Sequence, residues 1–311
     1  MKGVILAAGK GSRLYPVTHV IPKPLLPLAN RMTMEYAFDQ LKDCGITEIC
    51  IVVGENEEVM KETLGDGSAF GVQLSFVRQT EPKGLAHAVG FTKEFVGNDA
   101  FVLYLGDAIY GDSLSPHIEK FKSEQADNLN LVKPVEDPRR FGVATVSDDG
   151  RISKLVEKPE NPESNLAMAG MYVFTNAVFD VLPKLQPSGR GEYEITDAIQ
   201  MMIDEGKKVI ASEYKGTWFD TGTLSSFLQT SQYLQKEDPL VGPQAGLQGE
   251  PGEHVVIGEG AKVTCEQIEN SVVLPGSDVE VSGVISGSLL GGRVSVKGDL
   301  VGKVRQDDQE R

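Results

Sequence analysis

Residues 6–28 read LAAGKGSRLYPVTHVIPKPLLPL, and the rest of the chain is organised around them. The apolar run Val4, Ile5, Leu6, Ala7, Ala8 has the character of a buried first strand. It breaks into Gly9-Lys10-Gly11-Ser12-Arg13, and a stiff segment then holds Lys23 between Pro22 and Pro24. Glycine lets a backbone approach a phosphate and turn its N–H groups inward, while Arg and Lys add charge-assisted contacts. An anionic, phosphorylated ligand is the first implication. A P-loop is excluded, because G-x-x-x-x-G-K-[ST] does not occur here. Gly9 and Gly11 match the first two glycines of a dinucleotide fingerprint, but the third position is Leu14.

The loop's cations stand out against an acidic background. The 311 residues carry a net charge of −15, which argues against a general nucleic-acid binder and favours a small anionic ligand at Lys10, Arg13 and Lys23. A chain of this length suits about two domains with a sizeable core. Cys44, Cys50 and Cys265 are odd in number and widely spaced, the pattern of neither a disulfide framework nor a zinc site, and the expected compartment is the cytoplasm. The opening GVILAAG superficially mimics a signal peptide, but it ends at Gly9 and is followed by Lys10 and Arg13. No apolar run approaches a membrane span.

Downstream, Met34, Ala37, Phe38 and Leu41 share one helical face over 33–44, and Glu48–Val53 reads as a second buried strand ending at Gly54. A helix over Glu57–Leu64, a strand over 72–77 and a helix over 84–95 follow. Phe101–Leu105 then delivers Gly106-Asp107 at its carboxyl end. This alternation predicts a mainly parallel α/β sheet, Rossmann-like and mixed, with Gly9, Gly54, Gln79 and Asp107 at the strand ends where such sheets bind ligands. The middle of the chain is richer in strands, over 130–134, 142–146, 152–156 and 168–174. An amphipathic helix over 194–204, a strand at Val209–Glu213 and a helix after Gly222 complete the region. From about residue 240 to 302, VVIGEGAKV, SVVLPGSDVEV and SLLGGRVSV recur at a period of roughly sixteen or seventeen residues, resembling imperfect hexapeptide repeats in a short β-helix. The expected division is 1–239, 240–303 and a disordered tail over 304–311.

Asp107 and Asp220 each end an apolar strand. Paired across a cleft, two carboxylates suit Mg2+, which takes one or two of them plus phosphate oxygens and water. Each could instead cap a helix or turn. In Glu157-Lys158, the lysine could hold a phosphate and the glutamate could accept sugar hydroxyls; a solvated strand edge is the plain alternative. Gln79 offers a donor and an acceptor, enough to read the edge of a base. His19, His87, His117 and His254 show no metal-ligand spacing, and no nucleophilic triad is evident.

Together these motifs resemble the sugar-nucleotide pyrophosphorylases, whose signature runs G-x-G-[ST]-R-L-x-P-x-T…P-K-P-[ML]-L-P. RQTEPKGLAHAV, VLYLGD, FGVATVSDDGRISKLVEKP, MAGMYVF, RGEYEITDAI and WFDTGT continue that pattern in order over about residues 1–235. Within the family, the chain looks most like the longer glucose-1-phosphate thymidylyltransferases, and its tail is similar to the left-handed β-helix of many members. The resemblance implies an enzyme condensing dTTP with glucose 1-phosphate into dTDP-glucose and pyrophosphate, with UTP as the alternative triphosphate.

It also implies residue roles. Leu6, Ala8, Gly9, Gly11, Ser12 and Arg13 would wrap the triphosphate, with Arg13 on its phosphates. Lys23 would stabilise charge at the reacting α-phosphate, and Gln79 with Gly84 would hold the base. Asp107 and Asp220 would bind Mg2+, making Arg13, Lys23 and Asp107 the catalytic set. Gly142, Glu157, Gly170 and Tyr172 would line the sugar site, with Lys158 on the sugar phosphate. Two positions depart from the pattern: Ala108 replaces the Asn that usually follows L-G-D, and Asn30-Arg31-Met32-Thr33 replaces N-K-P-[ML]. Nucleic acid and membranes are not expected partners, whereas a stacked repeat edge is compatible with homo-oligomers. A regulatory subunit that only binds sugar nucleotide is the non-enzyme alternative, and the joint presence of Arg13, Lys23, Asp107 and Asp220 argues against it. An acyltransferase reading of the repeats is opposed by their small number and by a lone histidine, His254, placed before them.

Overall fold

A computed structural model of the protein describes residues 1–310. The chain divides into two compact units, one of Met1–Gly9 with Ala37–Trp218, the other of Lys10–Tyr36 with Phe219–Arg311.

The first unit is built on a nine-stranded mixed sheet. Lys2–Leu6 lies between Glu48–Val53 and Phe101–Leu105, parallel to both, and Gln73–Arg78 extends the parallel set beyond Glu48–Val53. These central strands are nearly continuous apolar runs because both faces are covered; Val4, Ile5, Ile49, Ile51 and Leu103 are fully buried. Leu166–Phe174 then runs antiparallel to Phe101–Leu105 and joins the hairpin of Gly142–Val146 and Ile152–Glu157 to the sheet. Its other partner, Asn128–Pro134, carries the parallel strand Val209–Glu213.

The ladder of Leu166–Phe174 is irregular between Met168 and Tyr172, where Gly170 adopts φ +80°. A residue with a Cβ would be strained at that angle, so glycine permits the break. The helix Ile195–Asp204 buries Ile195, Ala198, Ile199 and Met202 on one side, matching its periodicity. Each of the isoleucines and Met202 contributes roughly 1.5–3 kcal/mol of transfer free energy. The predicted helix over 84–95 is two shorter ones, Leu85–Gly90 and Lys93–Val96, interrupted where glycine weakens helical propensity.

In the second unit the repeats form two parallel ladders. Leu240–Val241, Val255–Ile257, Ser271–Val273, Leu289–Gly291 and Val304–Gln306 pair in succession. In the other, Lys262 faces Asp278 and Asp278 faces Arg293, each about one sequence period on. Val255, Ile257, Val263, Val273, Val279, Ile285, Leu290 and Val294 fill the space between as one aliphatic core. His254 lies inside this array, after Leu240–Val241 and Gly246–Pro251, and not before it.

The expectation of disorder over 304–311 is corrected for the described residues. Val304–Gln306 is a strand, with Val304 and Gln306 buried, and the Asp307 and Asp308 carboxylates accept from the backbone N–H groups of Arg293 and Ser295 at 2.9 Å. A polar composition misses such anchors because two inward side chains suffice to dock a terminal strand. Residue 311 lies outside the described residues.

All three cysteines are free, and burial pushes the Cys50 thiol up to about 12. Among the described residues, no helix is long and apolar enough to cross a membrane.

Candidate active site

In the first unit the parallel strands end side by side. The Ala7 N–H donates to Val52 O at 2.8 Å, Gly106 N–H to Leu6 O at 3.0 Å and Gln79 N–H to Val53 O at 2.9 Å. A Cβ on Gly54 would stand 2.9 Å from Ala8 O, and one on Gly106 would stand 2.9 Å from Leu6 O. Glycine at both positions lets these chain ends converge. Leu6, Ala8, Gly9, Gln79 and Asp107 therefore occupy one edge of the sheet, the edge at which open α/β sheets bind ligands. Asp107 follows Phe101–Leu105 directly, and its charge reaches inward, helping to raise the already buried hydroxyls of Tyr104 and Tyr110.

Gln79 is buried and fixed. Its amide Nε2 lies 3.1 Å from Gly84 O and 3.1 Å from His87 Nδ1. Gly84 has φ +107°, and a Cβ there would come within 2.5 Å of Tyr193 O. Only glycine fits, so Gly84 joins the helix Leu85–Gly90 to Tyr193, whose ring stacks on His87.

The predicted sugar-site residues also converge. Gly142 and Glu157 are register partners in the hairpin, and a Cβ on Gly142 would press to 2.6 Å from Thr196 Cγ2 and 3.1 Å from Glu157 Oε2. Thr196 Oγ1 donates to Glu157 Oε2 at 3.3 Å. Lys158, at φ +45°, sets its Nζ 3.4 Å from Glu157 Oε1, and Arg190 Nη2 lies 3.7 Å from the same oxygen. Burial pushes the Glu157 carboxyl above its ordinary range, with Lys158 and Arg190 opposing and Glu194 reinforcing. Tyr172 is buried close enough that Glu157 adds to the rise in its hydroxyl pKa, for which burial is the main cause. Gly170 faces Leu105 and Ala108, at 3.3 Å and 3.5 Å from the position of a Cβ.

Arg190, Glu194 and Thr196 received no role from the sequence. Arg190 Nη2 bonds Glu194 Oε1 at 2.8 Å, and Ser188 Oγ donates to the same carboxylate at 2.8 Å. The i, i+4 spacing of Arg190 and Glu194 was a visible signal, but nothing local announces that Arg190 turns back to Glu157.

The second unit holds Gly11, Ser12, Arg13, Lys23 and Asp220. Thr18 Oγ1 donates to Gly11 O at 2.9 Å, and a Cβ on Gly11, at φ +62°, would stand 3.2 Å from Lys23 Cβ. Lys23 is thereby held buried beside the glycine turn. Gly222 N–H donates to Asp220 Oδ1 at 2.9 Å, and a Cβ at Gly222 would meet Arg13 Nη2 at 2.7 Å. Arg13 and Asp220 thus border one glycine. The candidate residues fall into these two sets, each assembled within its own unit.

Within the second unit, the Asp220 carboxylate, the Arg13 and Lys23 cations and the glycine turn at Gly11 suit polyphosphate. The Glu157 cluster, a half-buried acceptor flanked by two cations, suits a phosphorylated polyol. A family model described as nucleotidyl transferase matches residues 2–237. The low-salt glycan biosynthesis nucleotidyltransferase Agl11 of Haloferax volcanii is 41% identical to this chain, over 94% of it and 92% of the relative. A glucose-1-phosphate thymidylyltransferase of Streptomyces griseus is 35% identical, over 97% of this chain and 92% of its own. Among solved structures, a Bacillus anthracis protein described as a glucose-1-phosphate thymidylyltransferase, in complex with a sucrose, is 38% identical with a TM-score of 0.71. That match covers 76% of this chain and 96% of the other.

Proposed function

The chain belongs to the nucleotidyl transferase family and is a sugar-1-phosphate nucleotidyltransferase, and from that premise we propose that it condenses dTTP with glucose 1-phosphate into dTDP-glucose and pyrophosphate. The observation that carries the sugar-phosphate half is the Glu157 cluster. Its carboxylate accepts sugar hydroxyls while Lys158 and Arg190 meet the phosphate. Gly142, Gly170 and Tyr172 shape the same pocket. Leu6, Ala8, Gly9, Gly11, Ser12 and Arg13 take the triphosphate, and Gln79 with Gly84 takes the base.

In the reaction, a phosphate oxygen of glucose 1-phosphate attacks the α-phosphorus in line, the P–O bond to the β-phosphate breaks, and pyrophosphate leaves. The nucleophile is already anionic, so no general base is required, and positioning with charge neutralisation carries the rate. Lys23 faces the charge that grows at the α-phosphate, and Arg13 the leaving phosphates. The carboxylates of Asp107 and Asp220 have the donor chemistry Mg2+ prefers, and would hold an ion that supplies charge neutralisation on phosphate oxygens when bound.

We take residues 1–239 as the catalytic portion and 240–303 as a short left-handed β-helix; the succession of parallel strands at the repeat period supports the stacked-coil part of that reading. The enzyme would act in the cytoplasm, and homo-oligomers are compatible with the repeat edge. Pyrophosphate release with five nucleoside triphosphates and several sugar 1-phosphates tests the substrate assignment. A strong preference for UTP over dTTP, or for a sugar other than glucose, would overturn it.

A further inference from the structure

From the contacts of the Gln79 amide we infer that His87 is a positioning residue that leaves Gln79 only an acceptor to offer the base, so the site selects bases bearing a ring N–H at that edge. The inference rests on the reading of Gln79 as the base contact.

The orientation of the amide follows from its neighbours. A carbonyl oxygen can only accept, so the amide atom 3.1 Å from Gly84 O must be the nitrogen. That NH2 group has two hydrogens, and its second neighbour, also at 3.1 Å, is His87 Nδ1. Nδ1 must then present its lone pair, which places the ring proton of neutral His87 on Nε2. Both donors of Gln79 are used within the protein, and Oε1 makes no hydrogen bond to the described residues. The sequence offered a donor and an acceptor; the folded site keeps only the acceptor.

His87 is itself held. Its ring stands edge-on to Phe91 at 5.0 Å and stacks with Tyr193 at 6.2 Å between centroids. Gly84 is pinned by the backbone of Tyr193, so both acceptors of the NH2 group are set by packing. An amide free to rotate could match a donor or an acceptor at the base; one held at two points cannot. Thymine and uracil present N3–H and guanine N1–H, each complementary to Oε1. Cytosine presents a lone pair at N3, and an N3-methylated thymine presents no hydrogen; both oppose Oε1.

The test compares the full-length wild type with His87→Leu, which removes the acceptor, and His87→Asn, whose side-chain oxygen can stand near the place of Nδ1. Steady-state rates are measured with dTTP, CTP and N3-methyl-dTTP at saturating glucose 1-phosphate. The wild type should favour dTTP over both others at least tenfold in kcat/KM. His87→Leu should raise KM for dTTP about fivefold, more than it lowers kcat, and reduce the discrimination, the size expected for one hydrogen bond. His87→Asn should recover most of both. Unchanged discrimination in His87→Leu, or no recovery in His87→Asn, would overturn the role of His87. If the wild type does not discriminate and Gln79→Ala is silent, the reading of Gln79 fails and takes this inference with it.

Discussion

Glu157 carries a charge that its surroundings oppose. Burial raises its carboxyl above the ordinary 4.5 despite the nearby Lys158 and Arg190. The folded chain therefore binds that proton more tightly than the unfolded chain, and stability falls as pH climbs from 4.5 through the raised folded value. Glu157→Gln should show a higher Tm than the wild type at pH 7, an advantage that disappears as the pH is lowered to the unfolded value. Its kcat/KM for glucose 1-phosphate should drop about tenfold, because a charged acceptor of sugar hydroxyls becomes neutral. A lower Tm at pH 7 would refute the electrostatic argument. Glu157 and Lys158 were legible as a candidate pair because they adjoin in sequence. Arg190, Thr196 and His87 were not, because each is set beside its partner only by chain folding.

The helix Leu224–Leu234 follows Asp220 and Gly222 and begins with a capping box. Thr223 Oγ1 accepts from Ser226 N–H at 3.2 Å, and Ser226 Oγ accepts from Thr223 N–H at 3.0 Å. Thr223→Ala should cost about 1 kcal/mol. Because Asp220 lies just ahead of that cap, the Mg2+ concentration for half-maximal rate should also rise. Thermal melting and an Mg2+ titration check the two parts, and an unaltered Tm would count against the cap. The cap is Thr223 and not Asp220, whose carboxylate accepts from Gly222 N–H. Elements like this helix were readable from periodicity. The break of the predicted 84–95 helix and the strand at Val304–Gln306 were not, since local weak propensity and two buried side chains decide them.

Within the second unit, the loop bearing Arg13 and Lys23 is grouped with the repeats and not with the strand that precedes it. The short helix Val17–Val20 lies against Leu289–Gly291 and Val304–Gln306, and Asn30 Nδ2 donates to Ile257 O at 3.2 Å. Val304→Asp, which places a carboxylate in a buried position of that last strand, should loosen the loop. Faster tryptic cleavage after Lys10 and Arg13, with a lower kcat/KM, is the expected result; unchanged cleavage would show that the repeats do not brace it. The strands, the glycine-cation loop, the repeat period and the family pattern were all present in the order of residues, because each is a matter of residue type and spacing along the chain. The mixed strand order, the cations gathered on Glu157 and the single acceptor left on Gln79 came from folding, because hydrogen bonds and burial act between groups near in space, whatever their distance along the chain.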